Sequence, residues 1–319
     1  KSNLMKKIML SFTAVLFCVS ILAQNTTDLK MNLEKNKVYR LKSVSEQTVT
    51  QTMNGVQQTT ESKVIYTMSL KMIDATADYI ITEIHLDTVI TNTNTMGKTV
   101  SYSSVSEGDI KSTETAEVLS CIMNRLSKNA LYVKMDFAGK PIEIINLKML
   151  SDLVLKDTSS ITLTGPTAAA VKQQIINSVS DSELKTMIES FTWALPGKQV
   201  SAGDSWKTTQ QMSPGGMMLD ITTTYHLDGI DGNNAKLTGE SDIKTAVNAV
   251  PIESGGATVT YDDIKGLGKS NMVIDIRTGL KVEETGKMHM TGNLGISAPG
   301  FSMQMPLDIN SESKVISLQ

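Results

Sequence analysis

The stretch KVIYTMSLKMI, residues 63–73, alternates between apolar and polar side chains along nearly its whole length. Successive side chains of an extended chain point to opposite faces, so its apolar residues share one face: Val64, Tyr66, Met68, Leu70 and Met72. The residues between them are polar except Ile65. A period of two over this length predicts a half-buried antiparallel strand. The polar DATAD that follows (74–78) predicts a turn, and YIITEIHLDTVI (79–90) predicts the returning strand.

The same alternation recurs on both sides of this stretch. Asn54-Gly55 is a two-residue hairpin signal just upstream of it. Far downstream, residues 219–230 and 235–245 alternate on either side of DGNN (231–234), and Thr278-Gly279 marks the turn of a further hairpin. Long antiparallel strands, with one packed face and one wettable face, are therefore predicted near both ends of the chain.

Between these parts the apolar period changes to that of an α-helix. Apolar residues recur at three- and four-residue spacing in three segments: 114–127, 146–156 and 166–179. Pro166 is suited to a helix start, and Ser180 with Glu183 forms a capping box that begins a further helix. That last helix is expected to end near Pro196-Gly197, where the chain returns to strands.

Two hairpin sequences in the separate β-rich parts resemble each other. VKMDFAGKPIEI (133–144) and VIDIRTGLKVEE (273–284) share an apolar–Asp–apolar start, a turn with glycine and a strand with charged residues. The equivalent positions are Asp136 and Asp275, and Gly139 and Gly279. We interpret the match as an ancient duplication, although a generic series of hairpins would share some of these features.

The expected fold class is mainly β (α+β), with long twisted antiparallel strands in two similar halves and a helical segment between them. The organisation predicted along the chain is a signal peptide at 1–23 with Met5 as its start, a flexible N-terminus at 24–36, a first β-rich half at 37–145, a helical segment at 146–195 and a second β-rich half at 196–319.

The N-terminal segment has the pattern of a secretory signal. Met5-Lys6-Lys7 precedes the apolar run Ile8–Leu22, and Ala23 follows it. The run is about 15 residues long, shorter than the ~20 that a membrane-spanning helix needs, so cleavage after Ala23 is expected. The mature chain would then have no transmembrane span. Cys18 follows the bulky Phe17, which disfavours a lipid anchor at that cysteine.

Composition excludes several function classes. The formal net charge is −3 and no basic block occurs, so we expect no nucleic-acid partner. After signal cleavage only Cys121 would remain, which rules out an intramolecular disulfide. Its helical segment makes it a small buried hydrophobe rather than a reactive thiol.

Three quoted stretches together resemble a family of uncharacterised secreted proteins from bacteria of the Bacteroidetes type. They are YVKMDFAGKPIEI (132–144), ALPGKQVSAGDSW (194–206) and IDIRTGLKVEETGKM (274–288), and the LPGK…GDSW stretch is the most specific. The resemblance covers about residues 30–319. It implies a periplasmic or cell-envelope location, and it brings no activity, catalytic residue or cofactor with it.

Gly203-Asp204-Ser205 resembles the nucleophile motif of GDS-type lipases, but its context differs. The triplet follows a helix and a loop, and neither downstream histidine has Asp three places before it. An activated serine needs a base within hydrogen-bond reach that is itself oriented by a third group. We interpret the triplet as a turn in which Gly203 has unusual dihedrals and Asp204 bonds backbone amides, with Trp206 as an apolar plug.

The remaining polar groups give no catalytic or metal-binding constellation. His85, His226 and His289 each lie on the polar side of a strand without ligand spacing, so no metal or cofactor is expected. Asp262-Asp263 and Glu283-Glu284 are neighbours on strands, which would turn them to opposite faces. GLGKS (266–270) lacks the first glycine of a phosphate loop and is interpreted as a loop before a strand.

The leading hypothesis is a non-enzymatic binding protein of the cell envelope that holds an apolar ligand, such as a lipid, in a curved sheet. A helix over a curved sheet would make a trough, and methionine-rich strand faces suit an adaptable lining. The alternative is a structural or assembly subunit that docks onto an envelope protein through a sheet edge or exposed patch. A hydrolase of unrecognised type is the third hypothesis.

Overall fold

The computed structural model describes residues 26–53, 55–164, 168–192, 194–213, 216–254 and 256–318. The predicted signal peptide, Cys18 and Pro166 lie outside these ranges. The chain is mainly β within them, as the alternating stretches predicted.

The strands are β1 (Thr27–Leu29), β2 (Val38–Met53), β3 (Val56–Ala75), β4 (Ile80–Thr95), β5 (Lys98–Ser103), β6 (Leu131–Met135), β7 (Pro141–Ile144), β8 (Lys198–Val200), β9 (Ser205–Met212), β10 (Leu219–Asp231), β11 (Asn234–Thr245), β12 (Ile252–Ser254), β13 (Ala257–Asp275), β14 (Leu280–Ala298) and β15 (Phe301–Leu318). The helices are α1 (Thr115–Ser127), α2 (Leu147–Val154), α3 (Ala168–Asn177) and α4 (Asp181–Thr192).

One large antiparallel sheet dominates the described part of the chain. Its strand order is β7-β6-β4-β3-β2-β15-β14-β13-β11-β10-β9, with β5 beside β4 and β12 beside β13. A separate small sheet pairs β1 with β8. The helical segment comes between β7 and β8 in the chain, apart from α1, which lies between β5 and β6.

The sheet order repeats itself in the two halves. Strands β2-β3-β4-β6-β7 pair in sequence, and β9-β10-β11-β13-β14 pair in the same sequence. The final strand, β15, fills the space between β2 and β14 and joins the halves into one sheet. The similarity between the two hairpin sequences thus corresponds to equivalent strand pairs, β6–β7 and β13–β14.

The two faces of the sheet follow the alternation of the sequence. Met68 and Leu70 of β3 are fully buried, and Tyr66 and Met72 pack against the same core. We call this face, which packs against the helices, the inner face. Each helix contributes apolar side chains to that core: Val118, Ile122 and Leu126 of α1, Leu150 and Val154 of α2, Ile175 of α3, and Leu184, Ile188 and Phe191 of α4.

The helix starts and the buried cysteine agree with the sequence pattern. The backbone N–H of Glu183 donates to Ser180 Oγ at 3.3 Å, so Ser180 caps α4 as the capping box predicted. Cys121 is a free, buried residue of α1.

The segment expected to be a flexible N-terminus is instead part of the core. Within it, Leu29 and Met31 are fully buried and Leu33 is nearly so. Met31 N donates to Phe137 O at 2.7 Å, in the β6–β7 turn, and Asn32 N donates to Thr278 O at 2.9 Å, in the β13–β14 turn. The sequence pattern did not predict this burial, because three alternating apolar residues are too short a signal to outweigh the polar residues between them.

These contacts require a strongly curled sheet. Strands β6 and β13 are six strand spacings apart in the sheet order, which is about 29 Å along a flat sheet. Yet their turns are hydrogen-bonded to consecutive residues, Met31 and Asn32. The sheet therefore curls around its inner face, and the N-terminal segment fixes the curl at the end where these two turns lie.

We call that end of the sheet the lower end and the opposite one the upper end. The turns of β3–β4, β6–β7, β10–β11 and β13–β14 are at the lower end, and the connections β2–β3, β4–β5, β9–β10, β11–β13 and β14–β15 are at the upper end.

Gly279 is a position where the curl leaves no room for a side chain. Its φ is +74°, and a Cβ there would stand against the carbonyl oxygen of Lys30. Gly232, in the turn of another lower-end hairpin, has a φ of +59°, but a Cβ there would meet no described atom within 4 Å. A substitution at Gly232 would therefore cause backbone strain alone, whereas one at Gly279 would cause both strain and a collision with the N-terminal segment.

We expect Gly279→Ala to reduce the free energy of unfolding by about 2–5 kcal/mol, because left-handed strain adds to displacement of the N-terminal segment. Gly232→Ala should cost only about 1–2 kcal/mol from the strain. Urea denaturation measures both. Equal losses in the two variants would contradict the role given to the contact with Lys30.

Candidate functional site

The inner face changes in character from the lower to the upper end. Two rows of residues cross its middle, and the members of each row are paired in register on neighbouring strands. Glycine, serine and threonine predominate in both rows. The upper row and then the lower row are as follows: Thr223, Ser241, Gly268, Met288, Ser311, Gln47, Ser62 and Thr93, and below them Tyr225, Gly239, Ser270, Gly286, Ser313, Ser45, Val64 and Thr91. We call these the small-residue rows.

The small-residue rows allow the tight curl. A Cβ on Gly239 would lie 2.5 Å from Ser270 Oγ on the neighbouring strand, and one on Gly286 would lie 2.7 Å from Ser313 Oγ. Side chains on the inside of a curled sheet converge, so only small ones fit where neighbouring strands approach. This middle part of the inner face is therefore narrow and rich in hydroxyl groups.

Above these rows the inner face is apolar. A second packed cluster there is formed by seven buried residues, apart from the main core: Met217, Leu219, Ile243, Ile264, Met290, Leu307 and Ile309. Their depth shows that these methionines fill space in a packed cluster, as ordinary core residues do.

An apolar strip continues from this cluster to the upper end. It has two register-aligned rows of three on β13, β14 and β15: Tyr261, Leu294 and Met305, then Val259, Ile296 and Met303. Leu294 and Met305 are buried, whereas Val259, Ile296 and Met303 are half-buried. Phe301, one row further, is 52% exposed. Exposure of apolar side chains thus increases steadily toward the upper end.

A tyrosine on β3 and a carboxyl group on α4 both have pKa values that burial raises. Burial is the main cause that raises the pKa of Tyr66 to about 12, with smaller effects from Tyr102 and Glu183. Burial also raises the pKa of Glu183, the third residue of α4. Deeper under α4, Lys281 donates to Ser190 O at 2.8 Å and pairs with Glu284 at 2.7 Å, which attaches the helix end to β14.

The outer face of the sheet has an open groove across β2, β13, β14 and β15, about 850 Å³ in volume. Three exposed ion pairs, each between neighbouring strands, lie in the groove and beside it on the outer face: Glu46–Lys63, Lys269–Glu240 and Lys287–Glu312. Four of the five Lys and Glu side chains that line the groove belong to these pairs, and Lys314 is the fifth. Exposed pairs of this kind contribute little energy.

The turn predicted around Gly203 is confirmed in detail. Gly203 has a φ of +93°, and Asp204 Oδ2 accepts from the backbone N–H of Ser201 at 2.8 Å. Trp206 is buried, donates from its ring nitrogen to Ala194 O at 3.0 Å and lies 5.8 Å from the ring of Tyr225.

The structure also brings Ser205 to a histidine, which the sequence did not predict. Strands β9 and β10 pair Ser205 with His226, and Ser205 Oγ lies 3.0 Å from His226 Nδ1. The other ring nitrogen is 3.8 Å from Asp228 Oδ1, beyond hydrogen-bond distance. His226 and Asp228 are both nearly half-exposed. The three residues are of the types found in a catalytic triad. In a triad, however, the carboxylate fixes the imidazole through a hydrogen bond, and Asp228 does not do so here.

The other two histidines are also on strands beside carboxylates. His85 Nε2 lies 3.1 Å from Glu83 Oε1, and His289 Nε2 lies 3.0 Å from Asp308 Oδ2. The buried hydroxyl of Ser69, the cross-strand partner of His85, donates to Asp87 rather than to the imidazole. In the described ranges no group of three or more His, Cys, Asp or Glu residues could hold a metal ion.

One motif lies in a different element from that predicted. Gly266–Ser270 is in the middle of β13 and not in a loop, because its glycines belong to the inner face at the curl. Asp263 has a φ of +51° in a bulge of the same strand, while Asp262 accepts from Thr260 Oγ1 at 2.8 Å. Neither carboxylate pair named from the sequence converges on a common point.

We expect Ser205 to be unreactive toward a fluorophosphonate probe, because a half-exposed imidazole that is not fixed by Asp228 is a poor general base. Labelling of the purified chain, followed by mass spectrometry of the modified peptide, measures this. Ser205→Ala is the matched control. Stoichiometric labelling that Ser205→Ala and His226→Ala both abolish would revive the hydrolase hypothesis.

We expect Glu183→Gln to stabilise the fold at pH 7, by less than about 1 kcal/mol because the half-exposed group is screened. The pKa of Glu183 is higher in the folded protein than its unfolded value of about 4.3. The free energy of unfolding therefore decreases as pH rises from the unfolded pKa through the folded one. The variant should lack that decline in a pH series of urea denaturations. A variant less stable than the parent at pH 7 would contradict the sign.

Comparisons with known proteins add a family and little else. The profile of a family of unknown function (DUF6263) matches residues 76–281. This agrees with the uncharacterised family expected from the resemblance, whose bacterial source remains a prediction. No curated protein matches the chain. Within the described ranges, none of the helices combines the length and the apolar character that a bilayer crossing needs.

Solved structures show only distant likeness. The outer membrane channel from Pseudomonas putida F1 superposes with a TM-score of 0.25 and 8% identity, over 90% of this chain and 97% of that chain. OccK5 (OpdH) from Pseudomonas aeruginosa gives a TM-score of 0.20 and 5% identity, over 89% of this chain and 99% of that chain. TM-scores this low carry no argument about fold or function.

Proposed function

We propose, given that the chain belongs to the DUF6263 family of unknown function, that it is a non-enzymatic binding protein of the cell envelope. Its ligand is an apolar molecule that lies along the apolar strip on the upper inner face of the curved sheet. The observation that carries the proposal is the graded exposure of that strip, from the buried Leu294 and Met305 to the exposed Phe301.

The helices that cover the main core contact the large sheet mainly outside the apolar strip. The principal helix contacts with the large sheet involve β4, β5, β7 and β14, and those with β14 include the lower-end residue Lys281. The helices therefore contact the sheet mainly away from the upper strip, where Ile296 and Met303 remain only partly buried. An apolar molecule placed there would remove these side chains from water, at ~25 cal/mol for each Å² buried.

The dimensions and lining suit an extended hydrocarbon chain. From Met290 to Ala298 the inner face of β14 extends about 27 Å, at ~3.4 Å per residue. Met303 and Met305 provide flexible, polarisable side chains that adapt to ligands of different shape. The hydroxyl-rich small-residue rows below give hydrogen-bonding partners for a polar group at one end of such a ligand.

Met303→Glu tests this proposal, since it places a charge among the half-buried side chains of the strip. Gln304→Glu is the matched control, because its exposed side chain is on the opposite face of the same strand. Native mass spectrometry and solvent extraction of the purified proteins should show an apolar ligand with the parent and with Gln304→Glu, and at least about tenfold less with Met303→Glu.

Parent protein that is free of any apolar mass after export from its native host would overturn the proposal. Equal ligand content in the two glutamate variants would place the ligand elsewhere. Circular dichroism spectra that match the parent are required of both variants, so that a loss of ligand is not confused with unfolding.

A structural or assembly subunit is the second candidate, and a separate patch favours it. Four large apolar residues on β7, the loop after it and α2 are 45 to 54% exposed: Ile142, Ile145, Met149 and Leu153. They adjoin the edge of the large sheet at β7, and exposed apolar patches beside a sheet edge are common protein-docking sites. A stoichiometric envelope complex that Met149→Asp dissociates, with no apolar ligand present, would favour this candidate.

A further inference from the structure

The upper end of the sheet presents exposed apolar side chains on several separate connections. Five of them are 52 to 96% exposed: Val56 in the β2–β3 hairpin, Met96 in the β4–β5 turn, Val247 and Val250 between β11 and β12, and Phe301 at the β14–β15 tip. Large apolar side chains scattered singly on a surface need no explanation, but five of them on separate connections at one end of the sheet do.

The same end carries few charges, although a fifth of the chain is charged. Lys98 and Glu253 are the only charged residues in the five upper segments: 47–60, 88–106, 208–219, 245–261 and 290–307. Asp262 and Asp263 directly follow the fourth segment, and Asp262 pairs with Asn293 of the fifth. The carboxylate of Glu253 accepts from Thr258 Oγ1 at 2.9 Å, so its charge is partly satisfied within its own hairpin.

The lower end has the opposite character. Exposed ion pairs surround its turns: Lys35–Asp74, Lys37–Glu34, Lys236–Asp231 and Arg277–Asp275. The molecule therefore has a highly charged end and an apolar end with few charges, separated by strands of up to 20 residues.

We propose that the upper end inserts its hairpin tips into the interfacial region of a lipid bilayer. The tips are separate short loops, in which single large apolar residues alternate with Gly, Ser, Thr and Asn. A fluid interface accepts such independent projections, whereas a protein partner would have to match their shape. The inference goes beyond the proposed function, because insertion of the tips requires no bound ligand.

The charge pattern specifies how the bilayer would be recognised. With Lys98 as the single cation of these segments, attraction to anionic lipids contributes little, and buried apolar area determines the affinity. Binding should therefore be similar on vesicles of phosphatidylcholine alone and on vesicles with added phosphatidylglycerol. It should also change little between low and high salt.

Vesicle flotation with the purified chain, freed of any ligand by unfolding in denaturant and refolding, tests the proposal. The double variant Val247→Asp, Val250→Asp should float at least about tenfold less, because two exposed apolar residues become charged. Val38→Asp is the control, since Val38 is 55% exposed at the lower end. Phe301→Trp should show fluorescence quenching by brominated phosphatidylcholine, and Val38→Trp should not.

Failure of the parent to float with either vesicle type would overturn the inference. So would flotation that needs phosphatidylglycerol and disappears at high salt, or flotation unchanged in the double aspartate variant. If the aspartates instead dissociate a dimer seen in sedimentation velocity, the tips are a protein interface and the inference is wrong. Ligand content by mass spectrometry is independent of all these outcomes, so this test and that of the proposed function fail separately.

Discussion

Two hydrogen bonds from consecutive backbone amides hold the curl of the sheet. Met31 and Asn32 donate to turns that a flat sheet would place far apart. A curled sheet brings the inner side chains of distant strands together, and the fully buried Met31 is part of the core that they form. The two turns are equivalent hairpins of the repeated halves, so the N-terminal segment bridges the halves at matched positions. The main core depends on this bridge, because helices and strands pack around it.

The curl explains which residues the inner face can hold. Where the strands converge, side chains must be small, and the glycines and serines of the small-residue rows satisfy that requirement. Above these rows the inner face turns apolar again, and larger side chains form the second cluster. The two packed clusters are thus on one face of the same strands, and the small-residue rows separate them. The close approach of the strands determines which residues these rows contain.

Much of the sheet could be predicted from the sequence, because a period of two directly reports which residues share a face. The β3 alternation, the helical segment, the Ser180 cap and the turn at Gly203 all depend on local signals. What required the structure was non-local. The burial of Leu29 and Met31 depends on two distant turns, and the approach of Ser205 to His226 depends on the register of β9 against β10. The stretch with Gly266 and Gly268 was predicted to be a loop, because no local sequence pattern distinguishes glycines of a loop from glycines that a curled sheet requires.

The bridge at the lower end also determines where the molecule can be open. The N-terminal segment, the helices and the turns pack on the inner face near that end, so we expect the proposed ligand to reach the apolar strip from the upper end. There, β2 pairs with β15 only as far as Leu307, and Pro306 begins the part of β15 that pairs with β14 alone within the described ranges. Proline cannot donate to a further strand. The apolar strip therefore ends beside a part of β15 that has no partner on its β2 side within the described ranges, and this end is the route that we expect for the proposed apolar ligand.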